Sequence, residues 1–542
     1  MTPQIHMQEI SWENFTSSVQ KLASKLNCRE SQVLGYLHMS SRPELPRLPG
    51  VAGFSDLLAD ADHFRPLSEL LPTGTELISK IRRKDSEEFQ ILKQLANVLD
   101  QLGEHNYHLL WMAPELVFWN QNHFLFHPFF VSDMFVSDET PIREEIRQLY
   151  GYRMAVKSPR ISLNQVSSDL ERVTFIYFLL EHLFPEIPFQ KMDRAMIRKF
   201  LALLSNIGKW IQECVARWFS GQPPIRDNAR QILETLVDSL QDSPFLPAPY
   251  QNVQHEVFYD FQRGHYKKGT HTEDEYECIS SEQHANRHFV MIADGVSTAD
   301  LGTGEDMARC LRDLVKEEKK KILRFLDELA TDSFERFQEE TQQCLLSMIL
   351  EFNKKAVSYV NRQLEKEQKT PDDVSHPMSS TLILGILAGN WATFVHVGDS
   401  EVILTRQNAS HVLNVPSNQF SYRVREELKT KPTVQNRSDD DDALVCVIPN
   451  YAIEKDRFIP ELQPGDIEAK TLCLKPHDIL IFTSDGLLNC LGNNHAGEGL
   501  RVLNRFFSEN RKDEFQNQMR ALLREADKTG VDDVAVVAFK SL

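Results

Sequence analysis

The sequence predicts an α+β protein. A two-sheet β-sandwich flanked by helices is expected over residues 255–542, preceded by a mostly helical domain over 1–245. Three observations carry this. The join "QDSPFLPAPYQNVQHE" holds three prolines and no periodicity, so 246–254 reads as a linker. Beyond it, β-prone apolar runs alternate with long amphipathic segments. Finally, several of these runs stop on a carboxylate: "HFVMIADGVS" on Asp294, "WATFVHVGDS" on Asp399 and "ILIFTSDGLLN" on Asp485. In "TGVDDVAVVAF" the order inverts, and Asp532 and Asp533 precede the run.

Taken along the chain, "SEEFQILKQLANVLDQLGEHNYHLLWMAPELVFWNQNHFLFHPFF" reads as a helix followed by short β-like runs. "VSSDLERVTFIYFLLEHLFPEIPF" reads as a helix with an acidic start. "LLSNIGKWIQECVARWFSGQPPIRDNARQILETL" reads as two helices around a proline turn. In the second half, the segment from "DLVKEEKKK" to "VNRQLEKE" has helical spacing, as one very long helix or two antiparallel ones. "STLILGILAGNWATFVHVG" and "SEVILTRQ" carry turn chemistry between β-rich runs and predict an antiparallel meander. A further helical segment covers about 496–527, and the chain closes on the β-run "VAVVAFKSL".

The balance of charge excludes some classes. A net charge of −18 argues against a nucleic-acid surface, which needs basic patches. The longest apolar runs fall short of the ~20 residues of a membrane helix. Eight cysteines stand singly with no CxxC pair, which disfavours zinc ribbons and disulfide frameworks and fits a reducing, cytoplasmic compartment. The acidic run at 439–442 reads as a solvated loop.

If the acidic strand ends meet, their chemistry is constrained. Asp supplies hard oxygen ligands suited to Mg²⁺ or Mn²⁺. Carboxylates packed without a cation repel one another and hold their protons. Two ions about 3.5–4 Å apart neutralise them and activate water for in-line attack on phosphorus. Gly295 and Gly486 after Asp294 and Asp485 let the backbone approach closely.

"VMIADGVSTADLGTGEDMAR", "SSTLILGILAGNWATFVHVGDSEVIL", "LKPHDILIFTSDGLLN" and "GVDDVAVVAF" resemble, in order, the motifs of the metal-dependent Ser/Thr protein phosphatases of the protein phosphatase 2C family. "KKGTHTEDEYECI" sits where that family has its early Glu-Asp motif. The resemblance implies two Mn²⁺ or Mg²⁺ ions in a cleft at one end of the sandwich, with a phosphoprotein as substrate. Asp294 would bridge both ions, with the Gly295 carbonyl on one; Asp485 and Asp532 would bind the second. Glu273 or Asp274 would hold coordinated waters, Asp399 would support the site, and Asp373 is a candidate ligand for a third ion. Many members carry a phosphate-gripping Arg where this chain has Gly269, which leaves Lys267 or Lys268 to supply the charge, or Arg263 if the register differs.

The first half resembles the C-terminal lobe of a protein kinase in the order of its elements, with Asp169 at the anchoring acidic position. The catalytic pieces are absent: Leu109, Leu110 and Trp111 stand in the catalytic loop, and Pro128, Phe129 and Phe130 stand at the magnesium-binding motif. The reading is therefore a phosphatase with a catalytically dead, kinase-like regulatory domain that can engage a partner. Its rivals are a pseudophosphatase scaffold that only binds phosphoproteins and a phosphatase for a small phosphate ester.

Overall fold

The computed structural model describes residues 64–104, 117–121, 124–126, 168–187, 205–220, 227–265, 272–407, 409–417, 446–510 and 514–542, with the single residues 20, 24 and 201. The chain divides into two compact units. One holds 1–204 and 211–242; the other holds 205–210 and 243–542.

In the first unit, β1 (Arg65–Pro66) is followed by α1 (Leu67–Leu70), α2 (Gly74–Ile81) and α3 (Glu87–Glu104), and then by β2 (Val117–Trp119) and β3 (Phe124–Phe126), which join β1 in a small antiparallel sheet. Then come α4 (Ser168–Leu183), α5 (Asn206–Ser220), whose residues 206–210 belong to the second unit, and α6 (Ala229–Asp242). The helix followed by short strands, the acidic-start helix and the final helix pair all stand where the periodicity put them. Asp100 of α3 accepts from the first N–H groups of α6, Ala229 (2.7 Å) and Arg230 (3.2 Å), satisfying donors that a helix start leaves open. Trp119 and Phe124 are buried against each other, so these aromatics are core. Asp169 lies in α4, but its side chain, with Leu109 to Trp111 and Pro128 to Phe130, falls outside the described residues.

The second unit is the sandwich. One sheet runs β10–β9–β14–β15–β4, from Ala409–Val412, Glu401–Arg406, Ile479–Thr483, Val534–Ser541 and His255–Gln262. The other runs β13–β8–β7–β6–β5, from Glu468–Cys473, Trp391–Val397, Leu382–Ala388, Arg287–Asp294 and Asp274–Ser280. Every pairing is antiparallel. The central strands are apolar on both faces, as a layer covered twice must be. Phe394 of one sheet meets Phe482 of the other edge-on, with ring centroids 6.5 Å apart. α7 (Gly304–Glu328) and α8 (Phe334–Glu367) pack outside the second sheet; α9 (Gly486–Gly492), α10 (Ala496–Glu509) and α11 (Phe515–Asp527) pack outside the first. The long helical stretch is thus two helices. Ser333 starts the second by accepting from the Arg336 N–H (3.1 Å). A small hairpin, β11 (Tyr451–Glu454) with β12 (Arg457–Pro460), lies against α8.

The segment after Asp242 belongs to the second unit and is tied to the turn between β7 and β8. Asn390 exchanges bonds with Gln251 (2.7 and 3.1 Å) and donates to the Pro249 carbonyl (3.0 Å), and the Trp391 indole donates to the Ala248 carbonyl (3.0 Å).

Candidate metal centre

The alternation of apolar residues carries β6 through the sandwich until it ends at Asp294. In the β5–β6 ladder Asp274 stands directly opposite Asp294. The Thr381 hydroxyl accepts from the Asp294 N–H (3.2 Å), and the Asp294 carbonyl accepts from the Thr381 N–H (2.8 Å), so the strand end is fixed on both sides. A Cβ on Gly295 would lie 2.4 Å from the Gly304 carbonyl carbon; only glycine lets the start of α7 pass this close. At the end of β14, Asp485 begins α9 and accepts from the Asn489 side chain (2.9 Å). A Cβ on Gly486 would lie 1.8 Å from the Asp533 carbonyl oxygen, so α9 and the approach to β15 are pressed together at backbone level.

Asp533 ties this end of the molecule together. It is buried, and its two oxygens accept from the Gly264 and Glu273 N–H groups, each at 2.8 Å. One side chain thereby holds the exit of β4 and the entry of β5 against the residue that follows Asp532. The Glu273 carbonyl in turn accepts from the Gly295 N–H (3.0 Å), and its carboxylate accepts from the Ser297 hydroxyl (2.5 Å).

The carboxyls are close enough to act on one another. Burial pushes Asp274 up to about 7, with the charges of Asp533 and Asp532 adding to the rise; hydrogen bonds with Ser484 and Asp294 oppose it. Burial and the charges of Asp274, Asp485 and Asp399 hold Asp294 well above the usual carboxylate range. Asp399 rises to about 7 through burial, then through Asp485 and Asp532. The acidic strand ends of both sheets therefore share one end of the sandwich.

Residues 261–524 match the family model of protein phosphatase 2C. Residues 1–260 lie outside that match. No curated protein matches the chain. Among solved structures, the chain is similar to the S. agalactiae serine/threonine phosphatase, at 16% identity over 53% of this chain and 98% of that one, with a TM-score of 0.35. Stp1 from Staphylococcus aureus aligns at 15% identity over 55% and 98%, with a TM-score of 0.37. The PstP catalytic domain, solved with two manganese ions, aligns at 15% identity over 54% and 99%, with a TM-score of 0.35.

Within residues 261–542, Asp274, Asp294, Asp399, Asp485 and Asp532 come together as described. The Glu273 backbone belongs to the same end, while its carboxylate is engaged by Ser297. Asp373 is exposed and accepts from the Thr370 N–H and hydroxyl (2.8 Å each), capping its own turn. Lys267, Lys268, Gly269 and the acids at 439–442 fall outside the described residues. The backbone of Arg263 directly precedes Gly264, and so lies beside Asp533.

Two acidic residues escaped the sequence reading. Asp533 was visible only as a second acid beside Asp532. Glu401 opens β9 opposite Thr483, two residues before Asp485. Burial and the charges of Asp485 and Asp399 push it well above the usual carboxylate range, with Lys209 opposing them. Its signal was its place directly after "GDS".

The donor set fits a hard divalent cation. All the clustered groups are carboxyls, and the buried Asp274 Oδ2 and Glu401 Oε2 have no hydrogen-bond partner among the described residues. Among the described residues no three Asp, Glu, His or Cys side chains are arranged to grip one ion as they stand. No helix among them is long and apolar enough to cross a membrane.

Proposed function

We propose that the protein hydrolyses phosphoserine and phosphothreonine in proteins at a divalent-cation centre formed by Asp294, Asp485 and Asp532, with Asp274 and Glu273 beside them. The observation that carries the reading is the convergence of Asp274, Asp294, Asp399 and Asp485 from both sheets onto one end of the sandwich. Mn²⁺ or Mg²⁺ there supplies charge neutralisation on a phosphoryl oxygen and activation of water. The chain's own contribution is placement. Thr381 fixes the end of β6, Asn489 orients Asp485, and Asp533 holds the Glu273–Asp274 entry against Asp532. Burial and mutual repulsion favour protons on Asp274, Asp294 and Asp399, and a cation held by these carboxyls would take the place of those protons. The N-terminal unit fits a non-catalytic role in targeting or gating, since the polar groups that phosphoryl transfer from ATP needs are missing from its sequence.

The experiment is hydrolysis of p-nitrophenyl phosphate and of a phosphothreonine peptide, with Mn²⁺ and with EDTA. Both substrates should be cleaved with Mn²⁺ and neither with EDTA. Peptide binding without turnover would instead favour a phosphoprotein-binding scaffold, the reading that Gly269 in the phosphate-gripping position supports. Turnover unaffected by EDTA would remove the metal centre from the mechanism.

A further inference from the structure

Strand β4 is the outer edge of its sheet. Its ladder fixes which backbone groups face away from β15. The Gln254 carbonyl accepts from the Leu542 N–H (3.0 Å), while Ala535 turns the other way, accepting from the Ser484 N–H (3.2 Å). Antiparallel pairing alternates, so Val257, Tyr259 and Phe261 direct N–H and C=O outward. Two of these outward groups are taken. Gln516 donates to the Val257 carbonyl (2.8 Å), and the Asp260 side chain accepts from the Phe261 N–H (2.9 Å). Between them, the N–H and C=O of Tyr259 have no partner among the described residues.

The side chains along this edge are apolar and open. Tyr259 and Phe261 are 56% and 52% exposed, and Leu542, bonded to the strand's approach, is 52% exposed. Tyr259 meets Tyr276 of β5 at 5.8 Å across the mouth between the two sheets. Asp260 is the acid that this edge offers: after burial it is the first charge to raise the Tyr276 hydroxyl, and it has no ion pair among the described residues, whereas Glu275 is paired with Arg312 (2.8 Å) and Glu277 stands 3.9 Å from Lys316. The strand then leads through Arg263 to Gly264, bonded to Asp533. At about 3.3 Å per extended residue, Tyr259 is roughly 17 Å of chain from the acidic end.

We infer that the β4 edge docks an extended, basic segment of the phosphoprotein substrate, which adds to the sheet as a further strand and delivers its phosphorylated residue to the acidic end. An added strand satisfies the open Tyr259 groups, its alternate side chains cover Tyr259 and Phe261, and its positive charge answers Asp260. A second copy of this chain would bring another Glu256 and Asp260 onto the same short edge, which like charges disfavour.

The inference rests on the phosphatase reading, and the test separates the two. Fluorescein-labelled phosphothreonine peptides with an alternating Val/Arg arm, or the same arm with Glu for Arg, are titrated against the full chain in EDTA by fluorescence anisotropy. Turnover of p-nitrophenyl phosphate with Mn²⁺ reports the metal centre separately. The Arg peptide should bind about tenfold or more tightly than the Glu peptide. Tyr259→Pro deletes the outward N–H without touching the ladder to β15, and should weaken the Arg peptide about tenfold, against two- to threefold for Tyr259→Ala. Turnover of the small ester should be unchanged in both. Asp260→Lys keeps the test alive if the proline variant does not fold; it should abolish the preference for the Arg peptide. Equal binding of the two peptides, or Tyr259→Pro binding as tightly as Tyr259→Ala, overturns the docking edge. Loss of ester turnover in the unaltered protein overturns the phosphatase reading and leaves the anisotropy result standing.

Discussion

Asp533→Asn should loosen the metal end without touching a residue assigned to the cation. In the native chain both carboxylate oxygens accept a backbone N–H at 2.8 Å, from Gly264 and from Glu273, and the side chain is buried. An amide keeps one acceptor and turns an NH₂ toward the other N–H. One charge-assisted bond is lost, at about 1.5–3 kcal/mol, and a buried donor is left facing a donor, at about 1–3 kcal/mol. Removing the charge also relieves Asp274, which Asp533 pushes upward, and this offsets part of the loss. The net expectation is about 2–4 kcal/mol. At roughly 2 °C per kcal/mol for a domain of this size, the sandwich transition should fall by about 4–8 °C in calorimetry of the full chain. The freed Glu273–Asp274 entry should also weaken Mn²⁺ by about tenfold or more in isothermal titration, as loss of orienting partners does at metal sites. A shift below about 1 °C with unchanged Mn²⁺ affinity would refute the idea that this side chain holds the two segments together.

Asp294→Asn should abolish hydrolysis and leave the melting transition in place, since a neutral amide would be a poor substitute for a carboxylate toward a hard cation; turnover within twofold of the native rate with full Mn²⁺ occupancy would exclude Asp294 from the centre. A fragment of 243–542 should fold, whereas 253–542 should be less stable by about 3–5 kcal/mol, because it loses the partners of Asn390 and Trp391; equal urea midpoints followed by Trp391 fluorescence would count against this. Acid should destabilise the sandwich through His255 and His288, which burial holds at about 4 and about 3. The unfolded chain takes up their protons first as pH falls below about 6.5, so their contribution is complete above that pH and declines toward 4, by about 1.4 kcal/mol per pH unit for each group. Asp274 and Asp399, held up to about 7, act in the opposite sense, adding stability at low pH that is lost as pH rises toward 7. The readout is therefore the difference between native and His288→Phe midpoints at pH 7 and pH 5, which should narrow on acidification. A difference that does not change with pH would clear His288 of the role.

Part of the sandwich was legible because β6, β8 and β14 are apolar runs that stop on, or within two residues of, a carboxylate with no place in a core, whereas β4, β10 and β13 carried no such signal. "HFVMIADG" and "ILIFTSDG" could only end where the backbone leaves the layer, so Asp294 and Asp485 were placed by the same hydrophobic pattern that placed the strands. What stayed hidden was relational. Asp533 reads like Asp532 in sequence, and only the register of β15 against β4, with the approach of Gly264 and Glu273, turns one acid toward the cluster and the other toward two N–H groups. Glu401 was masked for the same reason: a Glu at the head of a strand is ordinarily a solvated end, and it becomes part of the acidic group only because β9 pairs Glu401 with Thr483 beside Asp485. The proline-rich join misled in the other direction. Its prolines do forbid regular structure, but its carbonyls at Ala248 and Pro249 find donors on Trp391 and Asn390, which no local pattern could announce. Pattern locates a carboxylate at a strand end; the partner strand decides whether it meets a cation, an N–H or water, and that decision separates a ligand from the residue that holds the ligand in place.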